Sequence, residues 1–259
     1  MRIALGVEYD GRDFHGWQLQ EGVPTVQEAL EGALSKVADH PVRVTVAGRT
    51  DTGVHALNQV VHFDSDAPRA MRAWVFGCNS QLPRGVSVNW AEPVSDEFHA
   101  RFSARARRYR YVILNRPTRP AILAGKVTWE CRSLGVERMR GAALHLLGEH
   151  DFSAYRALGC QAKSPVRTLH RLTLERRGDL VVLETEANGF LHHMVRNIAG
   201  VLMAIGMGKA EPAWAREVLE SRDRTLGGVT APPDGLYFVA VRYPEPYHFP
   251  AVDNSLFVA

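Results

Sequence analysis

Thr25-Val26-Gln27-Glu28-Ala29-Leu30-Glu31-Gly32-Ala33-Leu34-Ser35-Lys36-Val37-Ala38 decides how the first part of the sequence is read. Thr25 and Glu28 form a capping box, in which a threonine hydroxyl and a glutamate three residues on satisfy open N–H groups at a helix start. Behind the box, Val26, Ala29, Leu30, Ala33, Leu34, Val37 and Ala38 recur at helical spacing. Upstream, Arg2 to Asp10 predicts a strand with Ile3, Leu5 and Val7 on one face, stopped by the Asp10-Gly11 turn. Downstream, Val42, Val44 and Val46 alternate with Arg43 and Thr45 as a half-buried strand, and Gln59 to Phe63 forms the core of another. A helix from Arg69 to about Gln81 and a strand from Val86 to about Ala91 follow. The order is β-α-β-β-α-β, the split βαβ or ferredoxin-like arrangement.

The same order returns further on. It comprises a strand from about Ala104 to Leu114, a helix from about Val136 to Leu147, and a hairpin of Leu169 to Arg176 with Leu180 to Ala187. A helix of about His192 to Met207 and a closing strand of Leu236 to Arg242 complete it, with a short extra helix, about Pro212 to Ser221, before the last strand. The expectation is an α+β fold of two ferredoxin-like halves, residues 1–103 and 104–259, sharing an extended mixed or antiparallel sheet with a cleft at their junction. Asn115 to Arg132, His150 to Pro165 and Arg222 to Asp234 have no period and read as functional loops or partner surfaces.

Composition narrows the class. The 259 residues are 46% apolar and 23% charged, near the globular average, which disfavours disorder and membrane bundles. The longest nearly apolar run, Ile198 to Gly208, is too short to span a bilayer, and the N-terminus meets a charge too early for a signal peptide. A soluble cytoplasmic protein is expected. Cys78, Cys131 and Cys160 are odd in number and far apart, which argues against a disulfide framework or a cysteine-rich zinc site. The net charge of +3 is small, yet the 31 basic residues divide into 27 Arg and only 4 Lys. Arg101, Arg105, Arg107, Arg108 and Arg110 crowd together with no acid among them. Arginine offers a planar fork for phosphates and a flat face for bases.

Three stretches carry candidate chemistry. Gly48-Arg49-Thr50-Asp51-Thr52-Gly53 puts a carboxylate beside a cation on a loop between strands, where it reads either as a nucleophile or base or as a turn aspartate. Arg101 to Tyr111 interleaves cations with aromatics. If extended, Arg105, Arg107, Tyr109 and Tyr111 share a face fit for phosphates and bases; the alternative is a solvated edge strand. Asn188 to Asn197 opens a helix apolar nearly all round, so Arg196 is either buried with an anion, for which Asp51 is a candidate, or exposed at the helix start. His192 and His193 point about 100° apart on a helix and suit no shared metal ion. Gly206-Met207-Gly208-Lys209-Ala210 lacks the first glycine and the Ser/Thr of a P-loop.

Taken in order along the chain, several segments resemble the tRNA pseudouridine synthase A family (TruA type). They are Glu8-Tyr9-Asp10-Gly11 with Gly16-Trp17-Gln18, Thr25 to Glu28, Ala47 to Asp51 through His55, Phe98 to Phe102, Arg107 to Tyr111, Gly148 to Phe152, and His192 to Asn197. Thr52 departs from the alanine of many members. The resemblance implies that Asp51 is the catalytic aspartate, Tyr109 the active-site tyrosine and Arg196 the arginine paired with that aspartate. It also implies that Arg49 helps flip the target nucleotide and that Leu236 lines the uracil pocket; Arg105 and Arg107, from the face they share with Tyr109, are expected to bind the RNA. A homodimer is implied, acting on tRNA anticodon stem-loop uridines at positions 38, 39 and 40. Because nothing is oxidised and no group is imported, this chemistry requires no ATP, metal or redox cofactor. Two rivals remain at this level, a tRNA chaperone on the same scaffold and a metal-dependent hydrolase using Asp51 and histidines.

Overall fold

Thr25 caps its helix as the spacing requires. In the computed structural model, which describes residues 1–251, the threonine side chain accepts from the Glu28 N–H at 3.3 Å and α1 runs Val26–Ala38. The expected order follows, with β1 (Arg2–Tyr9) before α1 and β2 (Thr45–Val46), β3 (His55–Asp64), α2 (Met71–Asn79) and β4 (Val86–Val94) after it. β1 lies antiparallel between β4 and β3, with Arg2 opposite Val94 and Asp64, and β2 adds antiparallel to β3 with Thr45 opposite His62. Among these four strands the order is β4-β1-β3-β2, the ferredoxin-like arrangement.

The strand expected from Val42 shortens to two residues for a local reason. Glu31, buried on α1, accepts from the Val44 N–H at 3.0 Å, Arg43 Nη1 at 2.6 Å and Gln27 Nε2 at 2.9 Å, while Ser35 Oγ takes the Val42 N–H at 2.9 Å. Those backbone donors are satisfied by the helix and have nothing left for a ladder. β3, by contrast, begins four residues earlier than Gln59, because its buried polar side chains find partners. Asn58 Oδ1 accepts from Trp90 Nε1 at 3.2 Å, and the His55 ring stacks on Tyr237 with centroids 4.7 Å apart.

The chain divides into two compact units. One is Met1–Arg105 with the described residues from Tyr237 onward; the other is Ala106–Leu236. In the second, β5 (Ala106–Asn115) pairs antiparallel with β9 (Leu180–Ala187), β9 with β8 (Val166–Arg177) and β8 with β7 (Gly148–Asp151), while β6 (Thr128–Glu130) runs parallel to β5. The helices are α3 (Val136–Leu144), α4 (Met194–Gly206) and α5 (Trp214–Ser221). α4 is buried over almost its whole surface, as its composition demands. β6 and β7 are additions to the expected order.

The last strand, β10 (Leu236–Arg242), has the predicted bounds. From Tyr237 it groups with the first unit, where it pairs parallel with β3, Tyr237 opposite His55 and Phe238 opposite Ala56. The residues that follow reinforce this. Tyr243, Tyr247 and Phe249 pack on a core cluster of Ala4, Ala47, Val60, Trp90, Phe98 and Ala100. The architecture is α+β. Among the described residues no helix is long and apolar enough to cross a membrane. The three cysteines are free, and burial pushes the Cys78 thiol up to about 12.

Candidate active site

Asp51 sits on the loop joining β2 to β3, and that loop is fixed through its backbone. The Tyr9 hydroxyl, at the end of β1, hydrogen-bonds Thr50 Oγ1 at 2.8 Å, and the Trp17 N–H donates to the Thr50 carbonyl at 3.0 Å. Gln59 Nε2 donates to the Gly48 carbonyl at 2.7 Å, and the Val54 N–H donates to the Asp51 carbonyl at 3.1 Å. Gly16 lets the supporting segment pass close behind. Its φ is +82°, and a Cβ there would lie 2.8 Å from the Thr50 carbonyl oxygen. Thr50 is buried, Asp51 half-buried, and Arg49 and Thr52 are exposed. The loop is held from behind and open in front, the arrangement that lets a scaffold position a reactive group. Tyr9 and Gly16-Trp17, prominent in the sequence without an evident role, are parts of that support. Their link to Asp51 spans more than 30 positions and leaves no periodic signal.

In the second unit, the arginine-rich stretch resolves into two faces of β5. Arg108 and Arg110 stand opposite Glu186 and Glu184 of β9 and bond them at 3.0 and 2.7 Å. The acids missing from the local sequence are supplied across the ladder, so the stretch is less bare a cationic surface than its order suggests. On the other alternation, Arg107 Nη1 donates to the Asn188 carbonyl at 3.0 Å and Tyr109 is buried, its ring edge-on to Phe190 with centroids 5.0 Å apart. Arg105 precedes the strand and is exposed.

Helix α4 begins at Met194, two residues later than expected. His193 takes φ +61°, in the left-handed region, and cannot be part of the helix. The prediction that His192 and His193 point apart on a helix therefore fails; their ring centroids are 4.0 Å apart. Arg196 lies in the first turn and is half-buried, not an exposed helix start. Its Nε donates to the Ala231 carbonyl at 2.8 Å, and the Ala231 N–H returns to the Arg196 carbonyl at 3.1 Å. Nearby, Tyr111 donates to the Pro232 carbonyl at 2.8 Å, and burial raises its pKa well above the ordinary phenol value. Leu236 is buried at the start of β10.

Each unit thus carries part of a chemical repertoire. The first holds a carboxylate on a braced loop beside an exposed guanidinium. The second holds a buried phenol and a guanidinium fixed to a backbone carbonyl. The sequence did not disclose Phe190 as the neighbour of Tyr109, nor the loop around Ala231 as the support of Arg196, because both lie in stretches without a repeating pattern.

Comparison with known proteins bears on the whole chain. A family profile described as tRNA pseudouridine synthase matches residues 6–103 and 142–244. The chain is 62% identical to a tRNA pseudouridine synthase A of Alcanivorax borkumensis, over 96% of this chain and 94% of that one. It is 59% identical to one of Nitrosococcus oceani over 100% of both chains, and 60% identical to one of Pseudomonas aeruginosa over 96% of this chain and 88% of that one. Among solved structures, a chain of a Cbf5-Nop10-Gar1 complex is similar with a TM-score of 0.36 at 12% identity, covering 78% of this chain and 45% of that chain. That likeness is too weak to carry a conclusion. The sequence matches extend over most of both chains, and the segments of the family profile include the braced loop and the start of α4. The chain belongs to the tRNA pseudouridine synthase A family.

Proposed function

We propose that the protein isomerises uridine to pseudouridine in tRNA, at positions 38, 39 and 40 of the anticodon stem-loop. The observation that carries this reading is the match to relatives at 59 to 62% identity along nearly the full chain. The braced Asp51 loop supports it, since the reaction demands one well-placed carboxylate. The isomerisation breaks the N1–C1′ bond, turns the detached uracil and joins C5 to C1′, with the C5 proton released to solvent and N1 protonated. Asp51 is the essential carboxylate, adding to C6, attacking C1′ or removing a ribose proton. Tyr109 stacks on the base and mediates removal of the C5 proton. Arg196 is the counter-charge assigned to the carboxylate by the motif resemblance.

Reaching a stem uridine requires extruding it, at a cost of a few kcal/mol, and Arg49 assists that step. Leu236 lines the uracil pocket, and Arg105 and Arg107 contact RNA phosphates. The working form is a cytoplasmic homodimer, which gives a large tRNA a second binding surface. The comparisons lend no support to a chaperone acting without chemistry. The test uses tRNAs carrying C5-tritiated uridine at 38, 39 or 40 singly. Release of tritium to water from these sites, with none from labelled uridines elsewhere, is expected; release confined to other positions overturns the assignment.

A further inference from the structure

Arg196 is only as well placed as the loop that holds it. That loop, between α5 and β10, has no regular structure around Ala231, so the Ala231 carbonyl needs support of its own. Arg224 supplies it. Its Nη1 donates to the Gly228 carbonyl at 3.0 Å, and its Nη2 donates to Thr230 Oγ1 at 2.9 Å and to Asn197 Oδ1 at 3.0 Å. Thr230 Oγ1 in turn donates to Asn197 Oδ1 at 2.7 Å, and Asn197 Nδ2 donates to the Tyr155 carbonyl at 2.8 Å. Asn197 is 2% exposed and directly follows Arg196, so the same helical turn that projects Arg196 also anchors the loop. On the far side of Ala231, the Pro232 carbonyl is held by Tyr111. Gly200 permits the approach, because a Cβ there would lie 1.9 Å from the Val229 carbonyl oxygen.

We infer that Arg224, with Thr230 and Asn197, is a positioning residue that sets the Arg196 guanidinium through the Ala231 carbonyl. The inference rests on the catalytic reading of Arg196. A planar fork meeting three acceptors on two segments fixes both distance and angle. Lysine, a single rotating donor centre, cannot reproduce that geometry. Small displacements of a catalytic group reduce rate with little change in substrate binding when they act in the transition state.

The test measures single-turnover tritium release from C5-labelled tRNA, together with tRNA binding, in the full-length protein. Arg224→Gln is expected to slow release by about tenfold or more with the tRNA Kd within about twofold, and Arg224→Lys to recover only part of the loss. Thr230→Val, nearly isosteric, shows the same split at smaller size and guards against an Arg224 variant that fails to fold. In an Arg196→Lys background, Arg224→Gln slows release by less than about twofold further, because its route of action is already impaired. Losses that multiply in the double variant overturn the inference, as does wild-type release by Arg224→Gln beside an impaired Arg196→Lys. Wild-type release by Arg196→Lys is a different failure: it removes Arg196 from the chemistry and the positioning role with it.

Discussion

Tyr109 and Gly16 show at the scale of single residues how side-chain chemistry and backbone geometry divide the work. The Tyr109 ring fills its place against Phe190, and phenylalanine occupies the same volume without the hydroxyl. Tyr109→Phe is expected to bind tRNA like the wild type but to turn over far more slowly, with binding measured by filter retention and turnover by tritium release. Full turnover would make the hydroxyl dispensable. Gly16→Ala acts on the backbone instead. It forces a side chain into a left-handed conformation and toward the Thr50 carbonyl, so thermal unfolding should show a loss of about 1 to 3 kcal/mol. Unchanged stability would mean that the Asp51 loop is not braced as described. The loop that carries Asp51 was legible from its bracketing glycines. The brace was not, because Tyr9, Trp17 and Gln59 reach the loop only after the sheet has formed.

Elements were legible where their periodicity matched their burial, as in α1, α4 and the β8–β9 hairpin. They were misread where side chains took over backbone hydrogen bonding, as Glu31 and Ser35 do ahead of β2, or where a strand is short and polar, as in β7. The β5–β9 ladder carries a stability prediction. Glu184 accepts from Arg110, which is 3% exposed, and also pairs with Arg171. Glu184→Gln removes the acid while leaving Arg110 buried, and denaturant unfolding should register a loss of about 3 kcal/mol. A loss close to zero would show that other partners hold Arg110. On β3, burial foremost, then the charges of Arg2 and His99, lower the His62 pKa to about 4. The unfolded chain protonates this histidine near pH 6.5, so its neutral folded form contributes fully above that pH and loses ground as pH falls toward 4. His62→Gln, which keeps an acceptor for the Ala100 N–H bonded to Nδ1 at 3.1 Å, should flatten the decline of melting temperature over that window. An unaltered slope would exclude His62 as its source. Asp64, held low chiefly by its bond to Arg2, gives a further loss at more acid pH.

Across the whole molecule, the βαββαβ order was legible twice, but the pairing of the final strand with β3 was not. β10 has the right bounds, yet its register with β3 joins residues 182 positions apart, a pairing that alternation cannot encode. The residues beyond it matter to the first unit. Phe249 stacks on Trp90 at 4.8 Å between centroids and meets Phe98 edge-on at 5.4 Å. Phe249→Ala should lower stability by about 1 to 2 kcal/mol in thermal unfolding, and no change would place the cluster outside the cooperative core. Function was legible from ordered motifs and not from bulk charge, since +3 says little about a polyanionic partner and two of the five clustered arginines face glutamates. The proposed function places the isomerisation of tRNA uridine on Asp51. Its most direct test compares tritium release from C5-labelled tRNA by the wild type and by Asp51→Asn at equal tRNA occupancy. The wild type is expected to release tritium and the variant none; equal release by both, or none by the wild type while it binds tRNA, would contradict that role.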